Sequence, residues 1–317
     1  MQRFMLVVLL TWAVNAGAQT PKAEYEKALD LIHAYNGSGD ELERATKIAE
    51  QLMESQPQSG YGETLIAEMI STWQLQEGGQ PIMASQTAYK FTVQALQLNP
   101  RFAQAHVARA RVFLKSGKWA EAEQAVDAAL RIDPNLSGAV FMRADMYRRA
   151  NRVDEAETWY RKFIDGTPSP QRKSNGYAWM ADMFKDQAWQ KPSERASYVA
   201  KARDAFQKSV DLDPQAPAKT VNYAIFLNNE AADFDAAALY AERALKIVEF
   251  PMARYHLAAA RYQKLSTTAG NLDKAALRAA LEEVLRATGM SLQETLRFCQ
   301  GCSGIRARLE TLTARLE

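Results

Sequence analysis

Cys299-Gln300-Gly301-Cys302 and three histidines, His33, His106 and His256, are the side chains of this 317-residue chain best suited to covalent or metal chemistry. In an oxidising compartment, two cysteines this close in sequence form a local disulfide. The loop Cys299 and Cys302 would close is very small, so the entropic gain is modest and the bond acts as a staple near the C-terminus. A redox-active pair is the competing reading, but no β-α-β pattern surrounds these cysteines. A metal site needs several converging ligands, and histidines scattered over separate segments do not supply them; no metal is expected.

Other catalytic signatures fail on inspection of the residues. Gly60-Tyr61-Gly62 opens a helix as a nucleotide loop would, yet Leu65 stands where a small residue belongs and no strand precedes it. There is neither a Gly-x-Ser-x-Gly elbow nor a His-Glu-x-x-His pair, and carboxylates are spread over polar helix faces, so none stands out as an acid or base. The expectation is a non-enzymatic protein with no cofactor. Thirty-nine Lys and Arg against 37 Asp and Glu leave no basic excess of the kind a nucleic-acid partner selects. An apolar fraction of 47% without long apolar blocks fits a globular chain rather than a membrane-embedded one.

The first residues read differently from the rest. Arg3 precedes an apolar run from Phe4 to Val14, and Ala16-Gly17-Ala18 supplies small residues two apart. A basic start, a short apolar centre and a small-x-small exit describe a secretory signal cleaved after Ala18. The run is too short to span a bilayer comfortably, so no membrane insertion is expected after cleavage. Residues 1–18 are thus expected to be a signal peptide, and the mature chain to be periplasmic or secreted.

Beyond that, any functional side chain must be held by helices. From Ala23 onward apolar residues recur at three- and four-residue spacing, with no sustained alternation that would mark a strand. Helices come in pairs closed by a proline: Pro57, Pro100, Pro134, Pro168, Pro214 and Pro251. Proline cannot continue a helix without losing a hydrogen bond and clashing with the preceding turn. Between Ala103 and Pro168 the pattern repeats after 34 residues: Ala110 and Ala144, Phe113 and Tyr147, Ala122 and Ala156, Val126 and Tyr160, Ala129 and Phe163, Pro134 and Pro168. A fixed period of this length signals stacked supersecondary units. Small residues let paired helices approach, and larger ones fill the space between pairs. The second and fifth pairs depart from the period, with about nine extra residues between Ala67 and Ala88 and between Ala181 and Ala202.

The segment from Ala103 to Pro168 resembles two consecutive tetratricopeptide repeats, carried by Ala110, Phe113, Gly117, Trp119, Ala122, Ala129 and Pro134, and again by Ala144, Tyr147, Ala156, Tyr160 and Pro168. Asn151 and Val153 stand where glycine and an aromatic are usual. The resemblance implies an all-α, right-handed α-α superhelix of six to seven hairpins over residues 19–290, with residues 291–317 as a C-terminal cap helix carrying the cysteine pair. It further implies a concave groove lined by first-helix residues: Glu68, Arg111, Phe141, Asp145, Arg148, Trp179, Asp182, Asn222, Tyr223, Phe226 and His256. Aromatics interleaved with charges suit a peptide or protein partner. One subfamily clamps a ligand's terminal carboxylate; here the corresponding places hold Val107, Arg111, Met142 and Phe141, so that clamp is not reproduced. Ile305, Leu309, Leu312 and Leu316 form one apolar stripe on the cap, able to cover the end of the stack or to pair two copies into a homo-oligomer. The expected function is a periplasmic scaffold in an envelope assembly, secretion or transport system. The alternative is an accessory subunit holding a small apolar ligand for a transporter, near Trp73 and Trp189 in the longer hairpins.

Overall fold

The computed structural model describes residues 20–34, 40–76, 81–249, 251–267 and position 279. The expected signal peptide of residues 1–18, the cysteine pair and the C-terminal stripe lie outside the described residues. Among the described residues there are thirteen α-helices and no strand. In chain order they are α1 (Pro21–Ala34), α2 (Glu41–Ser55), α3 (Tyr61–Gln76), α4 (Pro81–Leu98), α5 (Ala103–Lys115), α6 (Trp119–Ile132), α7 (Ser137–Arg149), α8 (Val153–Gly166), α9 (Pro170–Gln190), α10 (Arg195–Leu212), α11 (Pro217–Asn229), α12 (Phe234–Ile247) and α13 (Pro251–Thr267). The period is visible in these limits, since α7 and α8 repeat α5 and α6 residue for residue, 34 positions later. The chain divides within α7 into two units, Met1–Met142 and Arg143–Glu317.

In the first unit each helix packs on the next, and the first helices α1, α3 and α5 also stand side by side. Ala110 and Ala122 are fully buried where α5 meets α6. Tyr25, Tyr61 and Phe102 fill the opposite need, meeting with ring centroids 4.9–5.3 Å apart between the first two hairpins. Gly62 is the tightest point. A Cβ there would stand 2.5 Å from the Ala49 carbonyl oxygen and closer still to Met53 Cγ, so α2 and α3 approach only because it is absent.

In the second unit α9 pairs with α10, α11 with α12, and α13 follows against both α11 and α12. Ala181, Ala202, Ala241 and Ala244 are fully buried. A polar node ties three helices together: the buried Ser174 hydroxyl of α9 donates to the Ser209 carbonyl of α10 at 2.8 Å, while the Lys219 ammonium of α11 donates to Ser174 Oγ and to Asp213, each at 2.8 Å. The extra residues of the fifth hairpin lengthen its helices instead of forming loops. Pro170 begins α9, with the Ser169 hydroxyl accepting from the Arg172 amide at 3.3 Å, and a short 3₁₀ turn over Pro192–Glu194 joins α9 to α10. Ser169–Lys173 is therefore the cap and first turn of a helix, with proline at the position it tolerates best.

In three hairpins the turn between the paired helices uses one residue in the left-handed region, which reverses the chain while the last helical carbonyls find amide donors. Gly117 takes it in the third hairpin (φ 71°), Asn151 in the fourth (57°) and Ala232 in the sixth (51°). Glycine is free of strain there, asparagine tolerates it, and alanine is strained by about 1 kcal/mol. Ala232→Gly is accordingly expected to raise stability by roughly 0.5 kcal/mol after the entropic cost of glycine. Asn151→Gly should lower it, because the Asn151 amide oxygen accepts from the buried Gln187 at 2.6 Å. Gly62→Ala should lower it by about 1–3 kcal/mol despite alanine's better helix propensity. Urea midpoints of the three variants check the signs.

Candidate functional site

The first helices use one face for their partner helices and leave another open, and the residue following the small core alanine begins that open face. In the first unit this gives Glu68 on α3 and Arg111 on α5. Glu68 is 3% exposed and ion-paired with the Arg111 guanidinium, whose side chain keeps 28% of its surface exposed. Burial pulls the arginine's pKa down, and the nearby Tyr25 phenol partly offsets this. One turn further along α5, the Lys115 ammonium donates to the Ser71 backbone carbonyl of α3. Burial, and secondly the Arg111 charge, push Lys115 down to about 8. Phe141 is half-buried on α7.

In the second unit the open faces carry a set of paired charges. Asp145 accepts from Arg148 at 2.8 and 3.0 Å and from Arg149 at 2.6 Å, and Lys185 donates to Asp182 at 2.7 Å. Asp186 lies 3.9 Å from Arg148; burial raises its carboxyl pKa, with Asp182 adding repulsion and Lys185 and Arg148 opposing. Trp179 is half-buried against Phe163, with centroids 5.8 Å apart, and Asn222 on α11 is exposed. Each pair is worth little on its own in water, but together they hold donors and acceptors in fixed positions on a rigid face.

Three expected groove residues of this unit turn inward instead. Tyr223 and Phe226 are 2% and 1% exposed, packed with Phe206 and Tyr240 at centroid distances of 4.6–6.4 Å. They are core residues between hairpins and offer no surface. His256 on α13 is 4% exposed, edge-on to Tyr255, and its Nδ1 has no hydrogen-bond partner. Register on Ala224 places Phe226 with Val112 and Met183, both buried. Lys115, Lys185 and Asp186 were missed, although the same register marks Lys115, Arg149 and Asp186 as equivalent positions.

The apolar-ligand alternative looked to Trp73 and Trp189. The Trp73 side chain lies outside the described residues. Trp189, at the end of α9, is 64% exposed, its indole N–H donating to Glu230 at 3.0 Å and one face covered by Arg195, itself paired to Glu230 at 2.8 Å. These contacts hold the exposed ring against Glu230 and Arg195. Among the described residues no three His, Cys, Asp or Glu gather as a metal site, and no helix is long and apolar enough to cross a membrane.

With this geometry in hand, comparison with known proteins fixes the class. Residues 85–137 match the tetratricopeptide repeat family. No curated protein matches the chain in sequence. Among solved structures, the human IFIT1 dimer with m7Gppp-AAAA is similar at TM-score 0.58 and 18% identity, over 94% of this chain and 72% of that one. The C-terminal part of a TPR repeat-containing protein from Cytophaga hutchinsonii gives 0.53 and 13%, over 85% and 97%. Pseudomonas aeruginosa pilF gives 0.50 and 19%, over 74% and 99%. At such identities the likeness is one of fold. Residues 85–137 thus carry a tetratricopeptide repeat, and the fold is of the α-α superhelical class.

His256 makes this unit sensitive to acid. Burial lowers its pKa from 6.5 to about 4, so the folded state favours the neutral ring. The stabilisation this implies is complete above pH 6.5 and is lost as the pH falls from there towards 4. Between pH 7.5 and 5.5 the wild type should lose roughly 1 kcal/mol more stability than His256→Phe, read as the difference in urea midpoints of the two proteins at each pH.

Proposed function

We propose that this protein is a non-enzymatic scaffold of the periplasm, binding a peptide or protein partner along the open faces of its first helices as part of an envelope assembly, secretion or transport system. The observation that carries the binding site is the row formed by Asp145, Arg148, Asp182, Lys185 and Asp186, with exposed Asn222 on the next first helix. These groups are held in place by one another, Arg148 reaching Asp186 from one hairpin to the next, which lowers the ordering cost of meeting a partner. Trp179 beside them supplies apolar contact area. The coarser statement, a surface for protein–protein interaction, is what tetratricopeptide folds generally provide. Export is supported by the Arg3, Phe4–Val14 and Ala16-Gly17-Ala18 pattern.

Two measurements test this. A photo-crosslinking residue at Asn222 or Asp182 should capture a defined polypeptide in the native host, whereas the same residue at Lys208, on the second helix α10, should not. Capture from Lys208 alone would move the interface to the second helices. N-terminal sequencing of the mature protein should begin at Gln19; an intact Met1 in the cytoplasmic fraction would remove the export component.

A further inference from the structure

The charges on the open faces are balanced in one unit and unbalanced in the other. In the second unit Arg148 and Arg149 share Asp145, Arg148 also faces Asp186, and Lys185 has Asp182: three cations for three carboxylates. In the first unit Glu68 is taken by Arg111. Lys115 stands one turn from the same arginine, and its ammonium donates to the neutral Ser71 carbonyl. Among the described residues no carboxylate pairs with it. A half-buried ammonium next to a guanidinium carries both a desolvation cost and a repulsion, and no anion among the described residues relieves either.

We propose that Lys115 is the anchor for a side-chain carboxylate of an acidic polypeptide segment bound along the first helices of the first unit, with Arg111 as its positively charged flank. The inference rests on the groove reading above and specifies the charge of the occupant. A side-chain carboxylate is favoured over a chain end because Val107 and Met142, where a terminal clamp would need donors, are apolar and only 6% and 4% exposed. Glu68 orients Arg111 and removes most of its net charge, so Lys115 provides the unmet attraction. Burial, and secondly the Arg111 charge, hold the ammonium down to about 8, and an arriving carboxylate would raise it.

The test uses the full-length protein and three probes: acetyl-hexaglutamate amide, acetyl-hexaglutamine amide, and acetyl-hexaglutamate with a free C-terminus. Calorimetry at low salt should show the wild type preferring hexaglutamate amide to hexaglutamine amide by about tenfold or more. Lys115→Met should lose most of that preference, while Lys115→Arg should keep it within about twofold, with thermal melting confirming that both fold. NMR of labelled lysine in the wild type should show the Lys115 pKa rising when hexaglutamate amide is added. Undiminished preference in Lys115→Met, or none in the wild type, overturns the inference. Binding of the free-ended peptide alone overturns the choice of a side chain. Crosslinks from Asn222 and Asp182 that persist while these peptide results fail leave the groove reading standing; their absence from the wild type removes that reading instead.

Discussion

The close approach of paired helices at small residues is the constraint on which the rest of this structure depends. Ala110 with Ala122, Ala144 with Ala156 and Ala181 with Ala202 are all fully buried, and each pair sits where one helix of a hairpin crosses the other. With a larger residue at these points the helices would separate, and the aromatic layer between hairpins would lose its fit. Because each hairpin contacts only its neighbours, the same crossing must be made again in every repeat. Gly62 and Gly176 extend the rule to the joint between hairpins. At Gly176 a Cβ would stand 2.5 Å from Ile164 Cγ1 and 3.0 Å from Phe163 Cδ1. The identity of the open face follows: once the alanine faces inward, the next residue, and the one a turn beyond it, face away.

That rule also explains how the longer hairpins keep the register. In the fifth, the additional residues extend α9 and α10 past the usual turn, and the crossing at Ala181 and Ala202 is unchanged. The extension costs exposed helix, and the locked group of Trp189, Arg195 and Glu230 restrains it. The Glu230 side chain, 7% exposed, accepts from both the indole and the guanidinium, so its burial is matched by two donors. Arg203 pairs with Asp233 in the same neighbourhood, and Asp233 caps α12 by accepting from the Ala236 amide at 3.1 Å. The insertion is braced against the following hairpin, which is how an expanded turn is accommodated in a stack without disturbing its period.

Much of the architecture was legible in the residues because it is periodic. The helix limits of the central hairpins follow from Pro134, Pro168, Gly117 and the spaced alanines, each of which acts locally. Export, the cysteine pair and the terminal stripe lie outside the described residues. The candidate site was legible only in part. Glu68, Arg111, Asp145 and Asp182 directly follow the core alanine, and their places could be counted. Tyr223 and Phe226 were misassigned because aromatic rings suit both an inner layer and a binding face, and composition alone does not separate the two. Asn151 and Ala232 hide the turn for a related reason, since their left-handed backbone is imposed by the flanking helices rather than announced by glycine. Lys115 was invisible for a different reason: its proposed significance rests on its having no carboxylate partner among the described residues, and that becomes apparent only once those residues are placed.

The contrast between the paired row and Lys115 bears on how such a face selects an occupant. A surface of compensated pairs has weak attraction for any ligand, because a new partner must compete with bonds already made. It offers specificity instead, since a wrong arrangement of charges leaves two groups unpaired. An uncompensated, partly desolvated cation behaves in the opposite way, giving strong attraction for an anion but little discrimination among anions. The proposed Lys115 anchor, in the first unit, is of this second kind, and the row of Asp145, Arg148, Asp182 and Asp186, in the second unit, is of the first. Neither function requires movement of the hairpins, because the small-residue crossings have already fixed where each charged group stands.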